Sequence, residues 1–226
     1  MIKNKKIFIA CDTKNINKVK RIIKNTQTSK IKIGYKFGLE FLNSKNGRIF
    51  ISKLKNKIIF IDLKLHDIPN TMRSAIFSLK DLKIDYLTVH ISSGLKALKE
   101  VKKIAGKIKI VGVTTLTSLD NNNLQEIGYN KSVKNLVIHQ SKLARKANLD
   151  ALVCSGHETK YVRKIFKKEI ITPGITLNSK SNDQKRIMTP HKAVYEAKSD
   201  WLVIGRSITK GNIRKNLKNL IEHLNK

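Results

Sequence analysis

Short apolar runs alternate eight times along this chain with longer segments whose apolar residues recur at helical spacing, and this rhythm restricts the fold more than any other feature. The runs are Ile7 to Cys11, Ile31 to Ile33, Ile58 to Leu63, Tyr86 to Ile91, Ile108 to Val113, Ala151 to Cys154, Ile170 to Thr172 and Trp201 to Ile204. Unbroken β-branched and aromatic residues suit parallel strands covered on both faces. Between them, Val19, Ile22 and Ile23 in the first interval, and Met72, Ala75, Ile76 and Leu79 in the third, form helical stripes. Strict alternation implies parallel pairing through right-handed crossovers. Eight such units predict an α/β fold, a closed (β/α)8 barrel in one domain spanning 1–226, with a doubly wound open sheet as the competing architecture. The interval Leu116 to Asn148 needs an extra short helix or loop before its helix, and Leu177 to Lys185 is polar and loop-like.

Composition narrows the function classes. A hydrophobic content of 40% with three Pro speaks for a folded core. No run approaches about 18 apolar residues, so no membrane span is expected. The segment Met1 to Lys6 enters a strand without an apolar leader, and the two cysteines, Cys11 and Cys154, read as buried, reduced thiols. The expected location is the cytoplasm. A net charge of +31, from 47 Lys+Arg against 16 Asp+Glu, invites a nucleic-acid reading. Lys, Asn and Ile are abundant everywhere, however, and the lysines fall on helical faces such as Asn17 to Lys24 and Lys96 to Lys107. Without a basic tail interleaved with aromatics, a solvated face is the preferred reading and nucleic-acid binding is not expected.

Charge is most conspicuous from Ile58 to Thr71, where an apolar strand gives way to Asp62, Lys64, His66 and Asp67. Asp62 and Lys64, two residues apart, share one face of an extended chain. Ile68-Pro69-Asn70 ends the strand and leaves Asp67 on a loop. An ion at the end of a buried strand costs several kcal/mol unless paired, so these groups either neutralise one another or do chemistry. In a barrel, active sites form from the carboxyl ends of strands. The polar residues expected at that rim are Asp12, Lys32, Asp62, Lys64, His90, Thr114 to Ser118, Pro173-Gly174 and Gly205-Arg206. Taken singly, Asp12 suits a helix N-cap, Lys32 a solvated amine, and His66 and His90 structural roles. Gly205-Arg206 suits either a turn or a phosphate, which a backbone N–H and a guanidinium both recognise.

The decapeptide Asp62-Leu63-Lys64-Leu65-His66-Asp67-Ile68-Pro69-Asn70-Thr71 resembles the signature of the orotidine 5′-phosphate decarboxylase family, which makes UMP in pyrimidine synthesis. The resemblance continues in order through Ile9 to Asp12, Ile31-Lys32-Ile33-Gly34, Val89-His90, Leu116 to Ser118, Val153 to Ser155, Thr172 to Ile175, Asp183 to Pro190 and Val203 to Arg206. It implies a homodimeric (β/α)8 barrel with no metal or organic cofactor. It further implies a charged array of Lys32, Asp62, Lys64 and Asp67, with Asp67 and Thr71 reaching into the partner's site and Ile68 among the substrate-binding residues. Lys64 would donate the proton, and Asp12 and Lys32 would hold the ribose. Thr117 and Ser118 would lie near the pyrimidine, and Gln184, Gly205 and Arg206 would hold the phosphate. The loop Leu177 to Lys185 would act as a lid.

That chemistry is electrostatic. Loss of CO2 from C6 leaves a carbanion without an adjacent carbonyl, and a preorganised ammonium such as Lys64 stabilises and then protonates it. Lys64 between carboxylates would stay protonated. Asp62 beside the departing carboxylate would raise the ground state. One departure stands out: Thr176 follows Pro-Gly-Ile, where the family usually has an arginine on the phosphate. Losing a charge-assisted contact costs about 1.5–3 kcal/mol, leaving Lys180, Lys185 or Arg186 to compensate. Two rivals are a related barrel decarboxylase or aldolase acting on a sugar phosphate with Mg²⁺, and a basic nucleic-acid-binding barrel without catalysis.

Overall fold

The computed structural model describes residues 4–177 and 186–225. Its eight strands are β1 (Lys6–Ala10), β2 (Lys32–Gly38), β3 (Ile58–Leu65), β4 (Tyr86–His90), β5 (Lys109–Val113), β6 (Ala151–Val153), β7 (Glu169–Thr172) and β8 (Trp201–Ile204). Every neighbouring pair is parallel, and β8 returns to β1 to close the barrel. The helices that pack outside include α1 (Ile16–Asn25), α4 (Pro69–Ser78), α5 (Gly94–Ile104), α7 (Val133–Lys146), α8 (Gly156–Ile165) and α10 (Ile213–Asn225). Short α2 (Leu39–Leu42) and α3 (Gly47–Ser52) follow β2, α6 (Asn121–Glu126) precedes α7, and α9 (Arg206–Thr209) follows β8. Thus α6 fills the long interval before α7 as expected.

Capping places several helix starts. Asn15 accepts from the Lys18 N–H at α1, Ser132 from Asn135 at α7, and Asp120 forms a reciprocal capping box with Asn123 at α6. Pro69 occupies the first turn of α4, where its missing N–H costs nothing. The stripe Val19, Ile22 and Ile23 is buried, as are Met72 and Ile76, so the helical periodicity points at the strands' outer faces.

Inside the barrel the side chains form layers. At the amino end Glu169 accepts from Lys6 (3.0 Å), Lys109 (2.9 Å), Tyr86 (2.9 Å) and Trp201 Nε1 (3.3 Å). Burial works against the Glu169 carboxylate, but the hydrogen bonds from Lys109 and Lys6 outweigh it and hold its pKa down to about 2. Above it Phe8 stacks on Trp201 (3.9 Å between centroids) and packs against Phe60 and Tyr86. Gly34 makes this possible, because a Cβ there would stand 2.6 Å from the Phe8 ring. The third layer, at the carboxyl ends of the strands, is charged. Cys11 and Cys154 are both buried and free, and burial pushes their thiols up to about 12 and about 11. Among the described residues no helix is long and apolar enough to cross a membrane.

The strand bounds match expectation within a few residues except for β2. The apolar run Ile31 to Ile33 is only its beginning, and the strand continues through Gly34, Lys36 and Gly38. Alternation explains it: Tyr35 and Phe37 are buried against the helices, while Gly34 and Lys36 share the inner parity.

Candidate active site

Strand register determines which lysine reaches the rim. Lys32 pairs with Lys6 and is exposed at the amino end of β2, whereas Lys36 pairs with Ala10 and Phe60. The two lysines share a face but lie about 13 Å apart along the strand, at roughly 3.3 Å per residue. Lys32 therefore does not join the array expected of it. Its place is taken by Lys36, whose ammonium lies 3.4 Å from Asp12 Oδ1 and 3.1 Å from Asp62 Oδ2. Asp62 also accepts from Lys64 Nζ at 3.0 Å, which completes the series Asp12, Lys36, Asp62, Lys64.

Lys64 is aimed by an irregularity. Between Ile61↔Leu87 and Leu65↔Val89 the β3–β4 register slips, and Lys64 adopts φ +50°, a left-handed conformation costly for a residue with a Cβ. Its N–H donates to Thr88 Oγ1 (2.8 Å), and that hydroxyl donates to Asp62 Oδ1 (3.0 Å). Thr88 is completely buried, so it ties the bulge to the carboxylate. The sequence carries little signal for this hydroxyl, because Thr88 sits within the apolar strand β4.

Asp62 is 8% exposed and bound through both oxygens. Burial favours its neutral form, yet the ammonium groups of Lys36 and Lys64 prevail and lower its pKa below the usual carboxylate value. Burial likewise opposes the Lys36 charge, and Asp62 and Asp12 more than restore it, raising its pKa. Each buried ion is therefore held charged by its neighbours. His90 is pushed down by burial and then by His66, whose ring lies 5.3 Å away.

The array forms one wall of a cavity of about 890 Å³ open at the strands' carboxyl ends. Ala10, Phe60, Val113 and Val203 give it an apolar floor, and Thr115 and Thr117 line the side after β5. After β7 and β8, the strands that close the barrel onto β1, the lining comprises Thr176, Gly205, Arg206, Ser207 and Lys210, with Asn216 beside them. Thr176 is positioned by a bridge between Ile175 and Met188: its N–H donates to the Met188 carbonyl (3.1 Å), and the Met188 N–H donates to Gly174 (3.0 Å). Its hydroxyl lies 3.1 Å from Ser207 Oγ.

Several expected site residues lie elsewhere. Ser118 is exposed and is not among the lining residues, unlike its neighbour Thr117. Asp67, Ile68 and Thr71 are exposed outside the cavity, with Asp67 Oδ1 accepting from the Ile68 N–H at 2.7 Å. Arg186 does not face the cavity either; it forms a largely buried ion pair with Glu158 of α8. Gln184, Lys180, Lys185 and most of the expected lid fall outside the described residues. Among the described residues no three His, Cys, Asp or Glu side chains are grouped to hold a metal.

The fold and the site together define a (β/α)8-barrel enzyme with a charge-alternating centre at the carboxyl ends of its strands. The profile described as orotidine 5′-phosphate decarboxylase / HUMPS family matches residues 5–218, and the chain belongs to that family. It is 42% identical over 213 residues to the orotidine 5′-phosphate decarboxylase of Wolbachia pipientis subsp. Culex pipiens (strain wPip), covering 91% of this chain and 92% of that one. It is also 42% identical over 219 residues to that of Prochlorococcus marinus (strain AS9601), covering 91% and 89%. The crystal structure of orotidine 5′-phosphate decarboxylase from Lactobacillus acidophilus superposes with a TM-score of 0.83 at 28% identity, covering 98% of this chain and 100% of that one.

Proposed function

We propose that the protein converts orotidine 5′-phosphate to UMP and CO2, acting in the cytoplasm as a homodimer without metal or organic cofactor. The observation that carries this reading is the series Asp12, Lys36, Asp62 and Lys64, with successive contacts of 3.4, 3.1 and 3.0 Å.

In the proposed reaction the bond between C6 and the carboxylate breaks, CO2 departs and the electron pair remains on C6. Lys64 Nζ, held by Asp62, stabilises that pair and transfers a proton to it; solvent then reprotonates the amine. Asp62 is bound on both oxygens and cannot swing away, so it faces the substrate carboxylate and raises the ground state relative to a transition state losing that charge. Lys36 and Asp12 hold the ribose hydroxyls, in the role first expected of Lys32. Thr117 borders the pyrimidine. Gly205, Arg206 and Thr176 meet the phosphate, whose remote binding energy orients the ring.

Asp67, Ile68 and Thr71 are assigned to the partner's site. Ile68, the N-cap of α4, is 65% exposed and Phe77, in the last turn of α4, is 49% exposed, so apolar surface is left at both ends of this helix for a partner to cover. Following the loss of orotidylate absorbance tests the reading. Wild type should turn over and keep its activity in EDTA, while Lys64→Ala should lose nearly all of it. Absence of wild-type turnover, or a Lys64→Ala variant that keeps most of it, overturns the assignment, and loss in EDTA would favour a Mg²⁺-dependent sugar-phosphate reaction.

A further inference from the structure

The two walls of the cavity differ in charge. Along β1 to β3, the carboxylates of Asp12 and Asp62 balance the ammonium groups of Lys36 and Lys64. On the side formed after β7 and β8, the described lining residues include the cations Arg206 and Lys210 and no carboxylate. Two positive groups on one wall match a dianion, and an array already neutral cannot supply that charge. The nearby basic residue Arg186 is committed to Glu158. Thr176 and Ser207 present hydroxyls, 3.1 Å apart, that donate hydrogen bonds without bringing charge.

Lys210 is well built for the role. Its N–H donates to the Arg206 carbonyl (3.1 Å), which sets it one turn beyond the arginine. Its own carbonyl accepts from Asn216 Nδ2 (2.6 Å), and the same amide donates to the Ile208 carbonyl (3.1 Å). The backbone at Lys210 is thereby pinned to α10, and the residue, exposed, lies in the lining of the cavity. A lysine brings a compact charge on a flexible stem, so it can follow a phosphate without bidentate geometry.

We infer that Lys210 is a substrate-binding residue of this chain, the second cation on the phosphate, standing in for the charge that Thr176 does not bring. The inference rests on the reading of the cavity as a site for orotidine 5′-phosphate. Because Lys210 is exposed, its contact is screened, and its loss should weaken phosphate-dependent binding about tenfold. The test compares wild type, Lys210→Ala and Lys210→Ala/Thr176→Arg in turnover, and in calorimetric titration with UMP and with uridine, which lacks the phosphate.

For Lys210→Ala, KM and the UMP Kd should rise about tenfold, with kcat at saturation and uridine binding little changed. Arginine at 176, on the same wall, should restore most of the loss. An unchanged UMP Kd, an equal weakening of uridine, or a failure of arginine to rescue overturns the inference. A wild type that binds UMP in the expected pattern but turns over no orotidylate would defeat the activity assigned above and leave the role of Lys210 standing.

Discussion

Replacing Lys36 and Lys32 in parallel tests the site most directly, because the two lysines share a strand face and differ only in height. Lys36→Met keeps the stem volume and removes an ammonium with contacts of 3.1 Å to Asp62 and 3.4 Å to Asp12. Loss of one preorganised electrostatic group costs roughly 2.7–4 kcal/mol, or about a hundred- to a thousandfold in kcat/KM. Stability should fall as well. In the wild type, burial is the largest influence on Asp62 and favours protonation, and it is overcome first by Lys36 and then by Lys64. A depressed carboxylate contributes stability above its unfolded value of 3.8, and that contribution is lost as pH falls through the lower folded value. Without Lys36 the folded Asp62 pKa moves upward, so the variant should be less stable than wild type at pH 7 and the gap should narrow in acid. The raised pKa of Lys36 adds the mirror effect, present below 10.5 and lost at higher pH. Initial rates of orotidylate loss, with urea melts at pH 7 and in acid, read both quantities. Lys32→Met should remain within about twofold of wild type. Activity of Lys36→Met within threefold of wild type, or equal damage from Lys32→Met, would refute the reasoning.

Three other outcomes are expected. Glu169→Gln should destabilise the barrel by about 2 kcal/mol at pH 7, after discounting for the half-exposed Lys109; the wild type should lose that advantage as pH falls from 4.5 through about 2, and parallel melts of the two proteins would show whether the gap closes there. Gly34→Ala should cost about 1–3 kcal/mol by driving a Cβ into the Phe8 ring, whereas Gly38→Ala, whose nearest neighbour would be Asp12 Oδ1 at 3.5 Å, should be far milder in a thermal melt. Asp67→Ala and Lys64→Ala subunits, each inactive alone, should regain about a quarter of wild-type activity when mixed equally, since half the dimers would carry one intact site; no recovery after verified subunit exchange would place Asp67 outside the partner's site.

How much of this was legible in the sequence depended on whether a residue interrupts an apolar run or hides in an alternating one. Asp62 and Lys64 stand out because charge follows Ile58 to Ile61 without a break, and both line the cavity. Strand β2 concealed its lysine: Ile33, Tyr35 and Phe37 alternate with Lys32, Gly34, Lys36 and Gly38, so the Lys-x-Gly triplet occurs twice, at Lys32 and at Lys36. Nothing local chooses between them; the pairings Ala10↔Lys36 and Gly38↔Asp62 do, and the small Gly34 is needed because Phe8 fills the space beside it. The aim of Lys64 was equally hidden, since no glycine marks its positive φ and the partner that holds it, Thr88, lies 24 residues on. The cationic side of the cavity was the least visible part. Arg206 and Lys210 share a cavity with Asp12 and Lys36 only because β8 closes onto β1, nearly the full chain length away. A long-range pairing of that kind joins a charge-balanced side of the cavity to one whose described lining is cationic, and under the proposed function that asymmetry of charge would orient a dianionic substrate with its reacting end toward Lys64.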